Sequence, residues 1–299
     1  MAISSVKKAL QTEGTMVSDG AWGTLLASKG LGADECPEQW CLTNEKAVAE
    51  VAASYVSAGP DMIKTNSFGG NALKLRLYGL EEKVGEINRK AAQISREEMG
   101  PNGWVLAPVG PTGKMLMTGE ITQDELYETF SEQCVALAEG GTDVILVETM
   151  IDVEEAKMAV KAAKENTDCE IAATFTFDET GKGEYRTMMG NLPGDAARQV
   201  QEVGADIVGA NCGCGFERMV HITSQIRETL GDVPVLVHAN AGMPKLVDGE
   251  SVYPETPDEV AGHVPALIQA GVSIIGGCCG TTPDHIRALR KAVDAQTQG

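Results

Sequence analysis

Basic side chains are in short supply in this chain. Its 24 lysines and arginines face 43 aspartates and glutamates, a formal net charge of −19. That balance argues against a nucleic-acid backbone or an anionic membrane surface as partner. An acidic surface says little more, since it is also an ordinary route to solubility. Apolar runs of membrane-spanning length are missing, although hydrophobic residues make up 43% of the sequence, so a soluble globular protein is expected. The first eight residues lack the basic-then-apolar order of a secretory signal. Without that signal the eight cysteines read as reduced cytoplasmic thiols, not as a disulfide framework. No Pro/Gly/Ser-rich linker divides the chain, and one domain over residues 1–299 is expected, large enough for a substantial core.

A weak repeat organises what is present. Four times a helical pattern ends near glycine and drops at once into an apolar run: Ala58-Gly59-Pro60-Asp61-Met62-Ile63, Gly140-Gly141-Thr142-Asp143-Val144-Ile145, Val203-Gly204-Ala205-Asp206-Ile207-Val208 and Ala270-Gly271-Val272-Ser273-Ile274-Ile275. Glycine accommodates the left-handed helix cap, and a short connection then enters a buried strand. Counting strands gives eight, near residues 16–19, 62–66, 105–109, 144–148, 170–175, 207–211, 235–239 and 272–276. Helices fit residues 45–57, 81–99, 122–139, 153–165, 194–203, 216–230, 256–270 and 283–295, with capping boxes at Thr122/Glu125 and Thr256/Glu259. Eight βα units in a chain of this size predict an α/β fold, a single (β/α)8 TIM barrel. The open doubly wound alternative lacks a Gly-x-Gly-x-x-Gly after an early strand.

Active sites of such barrels form at the C-terminal strand ends. Asp19-Gly20, Lys64-Thr65-Asn66, Glu148-Thr149, Asn211-Cys212, His238-Ala239-Asn240 and Cys278-Cys279 all fall there. Adjacent cysteines make a poor disulfide pair but a good beginning for a soft-metal site. The sixth and eighth strands are separated only by the seventh, so Cys212, Cys278 and Cys279 can converge on one rim. Three thiolates hold zinc with one position open, as in a catalytic site. Cys214 stands one residue beyond Cys212 and could close that position, giving an inert four-cysteine structural zinc. Cys36, Cys41, Cys134 and Cys169 lack matching partners and read as packed thiols. An open, thiolate-rich zinc suits binding a thiol substrate and holding it as a nucleophilic thiolate, whereas zinc hydrolases more often use His and carboxylate ligands.

The segment Gly276-Gly277-Cys278-Cys279-Gly280-Thr281-Thr282-Pro283-Asp284-His285-Ile286 resembles the signature of the homocysteine S-methyltransferase family. So do Asp19-Gly20-Ala21-Trp22-Gly23-Thr24, Thr65-Asn66-Ser67-Phe68, Gly209-Ala210-Asn211-Cys212 and Asn240-Ala241-Gly242-Met243-Pro244. In flavour the likeness is greatest to the homocysteine-binding module of cobalamin-dependent methionine synthases. The resemblance implies a (β/α)8 barrel, zinc on Cys212, Cys278 and Cys279, and methyl transfer to homocysteine sulfur to give methionine. It departs from the family's more usual Asn-Cys-x-x-Gly-Pro ending by a second cysteine, Cys214, and by Phe216 in place of the proline.

Homocysteine also presents an ammonium and a carboxylate. Glu148 suits the ammonium, and the resemblance points to it too; the bland alternative is an ion pair with Lys64. Asp19 is a second candidate, balanced against a role as turn former. Backbone N–H groups near Gly20 and Gly23 could hold the carboxylate. Asn66 and Asn240 could orient substrate or merely satisfy loop backbone. His238 reads as a hydrogen-bonded rim residue. No Asp-x-His-x-x-Gly cobalamin motif is present, and folate, cobalamin and activation modules are not encoded here. The expected donor is therefore a separate methylcorrinoid protein acting in trans, with S-methylmethionine or S-adenosylmethionine as alternatives, and with another thiol or a selenol as an alternative acceptor.

Overall fold

The computed structural model describes residues 5–247 and 250–297; the ends of the 1–299 span expected as one domain lie outside that range. Eight parallel strands form the central sheet: β1 (Met16–Val17), β2 (Met62–Lys64), β3 (Trp104–Val109), β4 (Val144–Met150), β5 (Glu170–Phe175), β6 (Ile207–Gly215), β7 (Val235–Asn240) and β8 (Ile274–Gly277). The order runs β1-β8-β7-β6-β5-β4-β3-β2, and a parallel bridge from Ser18 to Met62 joins its two ends. The sheet is thus the closed (β/α)8 barrel expected from the eight βα units. No helix among the described residues is long and apolar enough to cross a membrane.

Side-chain alternation divides the core in two. Met16, Met62, Leu106, Leu146, Ala172, Ile207, Leu236 and Ile274, one from each strand, fill the barrel interior. A first helix, α1 (Val6–Glu13), plugs the N-terminal end by adding Val6 and Ala9 to that cluster. Its free N-terminal amides are met by Glu170, which accepts from Val6 N at 2.5 Å, Lys7 N at 3.1 Å and the Ser5 hydroxyl at 2.7 Å. The outward strand faces, including Ile63, Ala107, Ile145, Ala173, Val208 and Val237, pack against the surrounding helices.

Those helices include α2 (Glu45–Val56), α3 (Val84–Met99), α4 (Gln123–Glu139), α5 (Val153–Asn166), α6 (Pro193–Glu202) and α7 (Phe216–Leu230). Both capping boxes form, at Thr122/Glu125 and Thr256/Glu259. The single helix expected over 256–270 is two, α8 (Pro257–Gly262) and α9 (Val264–Gln269), because Pro265 has no N–H to continue the ladder. The last helix, α10 (Pro283–Thr297), follows the paired cysteines.

Two strand irregularities shape the C-terminal mouth. Between β4 and β5 the register passes from Val147↔Ala173 to Met150↔Phe175, so β4 carries one extra residue beside Glu148 and Thr149. Between β6 and β7 it passes from Asn211↔His238 to Gly215↔Asn240, so β6 carries two extra residues around Cys212. Such bulges re-aim side chains at barrel rims. Each contains a non-glycine residue with left-handed backbone, Thr149 at φ 61° and Cys212 at φ 59°.

Candidate metal centre and acceptor pocket

Cys212 on the β6 bulge meets Cys278 and Cys279, which follow β8. Cys279 Sγ lies 4.0 Å from Cys212 Sγ and 4.0 Å from Cys278 Sγ, and all three sulfurs fall within 4.8 Å of one another. Sulfurs around a tetrahedral zinc with bonds of about 2.3 Å stand roughly 3.8 Å apart, so the spacing fits a three-thiolate metal centre. The charge pattern fits as well. Hydrogen bonds from Cys212 and then Cys278 hold the Cys279 thiol well below its ordinary range. The bonds Cys278 donates to Cys212 and Cys279, together with burial, push its own thiol well above. Crowded thiols resist losing all their protons, and a cation is what lets them do so.

The backbone that aims these cysteines is tightly bonded. Gly277 N donates to Asp19 O (2.9 Å), Cys278 N to Ala239 O (2.7 Å) and the Thr281 hydroxyl to Cys278 O (2.7 Å). Glycine is obligatory in the run: a Cβ on Gly276 would lie 2.7 Å from His238 Cδ2 and 2.9 Å from Asp19 O, and one on Gly277 would collide with Thr281. His285 closes the segment, accepting from Thr282 N at Nδ1 (3.1 Å) and donating from Nε2 to Glu255 O (2.9 Å), a structural role.

Cys214 takes no part in the cluster. Successive left-handed residues, Cys212 and Gly213 (φ 67°), swing the chain so that Cys212 faces the mouth while Cys214 turns into the core at 2% exposure. Burial pushes the Cys214 thiol up to about 12. A side chain at Gly213 would strike Thr176 Cγ2 at 2.8 Å and Phe177 O at 2.9 Å, which keeps this turn glycine-dependent. Cys36, Cys41 and Cys134 are likewise buried, and Cys169 is half-buried at a strand start.

A cavity of about 500 Å³ opens above the sulfurs, lined also by Trp22, Lys64, Asn66, Phe68, Glu148 and Thr149. Glu148 points a carboxylate into it, 3.9 Å from His238 Nδ1. Asn66 lines the wall while its Nδ2 donates to Pro37 O at 2.7 Å. Asp19, Gly20 and Asn240 lie behind the wall. Asp19 is fully buried, accepting from Trp22 Nε1 (2.7 Å) and Lys64 N (2.9 Å), with Lys64 Nζ 3.8 Å away. Burial raises its pKa against the pull of those partners. Gly20 packs on Thr281 and Tyr55, where a Cβ would stand 2.7 and 2.8 Å from their oxygens. Asn240 is 4% exposed, and its Oδ1 has no partner among the described residues.

His238 differs from expectation. It is fully buried, neither ring nitrogen reaches a hydrogen-bond partner among the described residues, and burial followed by the nearby Lys64 charge pushes its pKa down to about 4. Trp22 and Tyr253 had escaped notice as site residues. Trp22 is a cavity wall pinned to Asp19, and Tyr253, in the loop after β7, lies near enough to Cys279 that burial and then the Cys279 charge push its hydroxyl pKa up. Trp22 stands inside the Asp19–Thr24 motif, whereas nothing local marks Tyr253.

Comparison with known proteins gives the family and the fold. The family model for homocysteine S-methyltransferase matches residues 16–293. Methionine synthase of Mycobacterium tuberculosis (strain ATCC 25618 / H37Rv) is 32% identical over 300 residues, covering 93% of this chain and 24% of that protein. Methionine synthase of Mycobacterium leprae (strain TN) is 31% identical with the same coverage, so the chain spans about a quarter of the length of these relatives. Among solved structures, the metallated homocysteine methyltransferase MmuM from Escherichia coli superposes with a TM-score of 0.80 at 21% identity, covering 96% of this chain and 99% of that one. A methyltransferase from Methanosarcina mazei gives 0.62 at 12% identity, covering 95% of both chains. Matched along nearly its whole length, the chain belongs to the homocysteine S-methyltransferase family of methyltransferase enzymes.

Proposed function

We propose that this barrel transfers a methyl group to the thiolate of homocysteine, giving methionine, with zinc held by Cys212, Cys278 and Cys279. The observation that carries the reading is a cluster of three sulfurs at the foot of a cavity lined by two carboxylates, Glu38, already engaged by Gly69 N at 2.7 Å and Cys36 Sγ at 3.3 Å, and Glu148. Bound zinc would supply a Lewis acid that keeps the acceptor's sulfur deprotonated near neutral pH. With Cys214 turned into the core, Cys212, Cys278 and Cys279 would be the three residues holding zinc, leaving room for the acceptor's sulfur.

The chain's own residues orient the acceptor. Glu148 receives the ammonium, and backbone amides of the 21–24 turn, with Asn66 opposite, face the carboxylate. Ala21 N is already engaged by Thr281 Oγ1 at 3.1 Å, which leaves the neighbouring amides for that task. Trp22 and Phe68 exclude water from the sulfur. Asp19 acts from behind, fixing Trp22 and Lys64. The methyl carbon bonds to the acceptor sulfur as its bond to the donor breaks, the electron pair leaving with the donor. No protein acid or base is required, in keeping with a His238 that burial holds neutral.

The donor we propose is a methylcorrinoid protein docking over the mouth. Phe68, Leu77, Tyr78, Met117, Met188, Met243, Leu246 and Val252, the large apolar side chains left exposed among the described residues, all lie on connections leaving the C-terminal strand ends. An apolar collar around an active-site mouth suits a macromolecular donor better than a small soluble one. Eight free cysteines suit a reducing compartment such as the cytoplasm. The test supplies purified zinc-loaded protein with homocysteine and either a methylcorrinoid protein, S-methylmethionine or S-adenosylmethionine. Methionine formed only with the corrinoid protein supports this donor. Turnover with a sulfonium alone overturns it.

A further inference from the structure

Lys64 is a buried cation that the steps above leave without a catalytic task. It ends β2 with its side chain 7% exposed and lines the cavity beside Cys278, Cys279 and Glu148. Its backbone is fixed, because its N–H donates to Asp19 Oδ2 at 2.9 Å and its carbonyl accepts from Ser95 Oγ at 2.9 Å. Its ammonium is fixed too, donating to Gly277 O at 3.2 Å and standing 3.8 Å from Asp19 Oδ1. Gly277 directly precedes the paired cysteines.

A buried ion pair is no economical way to stabilise a fold, since well-packed apolar residues do as well or better. This pair is also a dipole of defined direction. Trp22 and the β2 backbone hold the carboxylate end, while the ammonium end reaches to the peptide that carries Cys278. Three thiolates around a divalent metal carry one excess negative charge, and an acceptor thiolate adds a second.

We infer that Lys64 is a positioning residue for the acceptor step: aimed by Asp19, its ammonium anchors the Gly277–Cys278 peptide and offsets the negative charge that accumulates when the acceptor joins the three-cysteine centre as thiolate. The inference rests on the metal reading above. It balances chemically, because the acceptor thiol gives up its proton to solvent and Lys64 keeps its own. It also separates Lys64 from Glu148, whose partner is the acceptor's ammonium.

The test uses the full chain loaded with cobalt(II) in place of zinc, whose thiolate bands report entry of another sulfur. Homocysteine and 3-aminopropanethiol, which lacks a carboxylate, are titrated against pH into wild type, Lys64→Met and Lys64→Arg. Lys64→Met is expected to retain one metal per chain, bind both thiols roughly 10–100-fold more weakly at neutral pH, and shift the pH midpoint of thiol entry upward by about 1–2 units. Lys64→Arg keeps the charge and is expected to restore most of the midpoint. An unchanged midpoint in Lys64→Met overturns the inference. So does a loss confined to homocysteine, which would make Lys64 a carboxylate partner. Should Lys64→Met not fold, Asp19→Asn combined with Lys64→Met removes both buried charges. Wild-type affinity and midpoint in that double variant overturn the inference equally. A wild-type chain that takes up no metal defeats the metal reading itself, a separate failure.

Discussion

Asn211 clasps Thr149 with both ends of its amide: Oδ1 accepts from Thr149 N at 2.8 Å, and Nδ2 donates to Thr149 Oγ1 at 2.7 Å. Thr149 follows Glu148 on the β4 bulge, and Asn211 precedes Cys212 on the β6 bulge. The cavity carboxylate Glu148 and a cysteine of the three-sulfur cluster are therefore tied through one buried side chain. Thr174 Oγ1 also donates to Asn211 Oδ1, at 2.7 Å, so each polar atom of the amide is used. Left-handed non-glycine residues cost of order 1–3 kcal/mol each, and this clasp is what holds two of them in place.

Asn211→Leu should consequently destabilise the protein by about 2–4 kcal/mol, since it strands the Thr149 N–H and the Thr174 hydroxyl in a buried site. Urea unfolding gives the stability and metal analysis gives the site. Metal content should fall with stability, because Cys212 loses its aimed backbone. A variant with native stability and full metal would show that the bulges hold themselves.

Cys214→Ala should keep one zinc per chain and cost about 1–2 kcal/mol for the lost core sulfur. Cys212→Ala and Cys278→Ala should each lose zinc. Equal loss from Cys214→Ala would place that sulfur on the metal.

What the sequence showed and what it hid divide along physical lines. The barrel was legible because the βα units carry local signals: an apolar run in each, a glycine ending in four, and a capping box at two helix starts. Cys278-Cys279 was legible because two neighbouring thiols among glycines have few other uses. The position of Cys214 was not, since it depends on how many residues β6 gains against β7 and on left-handed backbone at a cysteine. Asp19 seemed open to substrate because a turn at a strand end is usually exposed, whereas Trp22 folds back onto its carboxylate. Tyr253 comes near Cys279 from a loop with no motif.

Acid should weaken the fold through His238. Its proton affinity is set near pKa 4 in the folded chain against 6.5 unfolded, so the unfolded state binds more protons between those values. The stability it contributes is complete above about pH 6.5 and is lost as pH falls toward 4, at most ~3 kcal/mol. Urea unfolding from pH 7 to 4 should show a steeper decline for wild type than for His238→Gln. Parallel declines would mean that His238 does not titrate over this range.

Glu148→Gln should raise KM for homocysteine about 10–100-fold, the worth of a charge-assisted hydrogen bond to an ammonium, with zinc content unchanged. An acceptor without an amino group should be affected far less. Equal losses on both acceptors would assign Glu148 to the architecture of the mouth.

The open fourth position is the central claim, and zinc-edge X-ray absorption measures it most directly. The zinc-loaded protein should show three sulfur neighbours and one lighter atom, and addition of homocysteine should raise the count to four sulfurs. Four sulfurs before homocysteine, or three both before and after, would contradict the account.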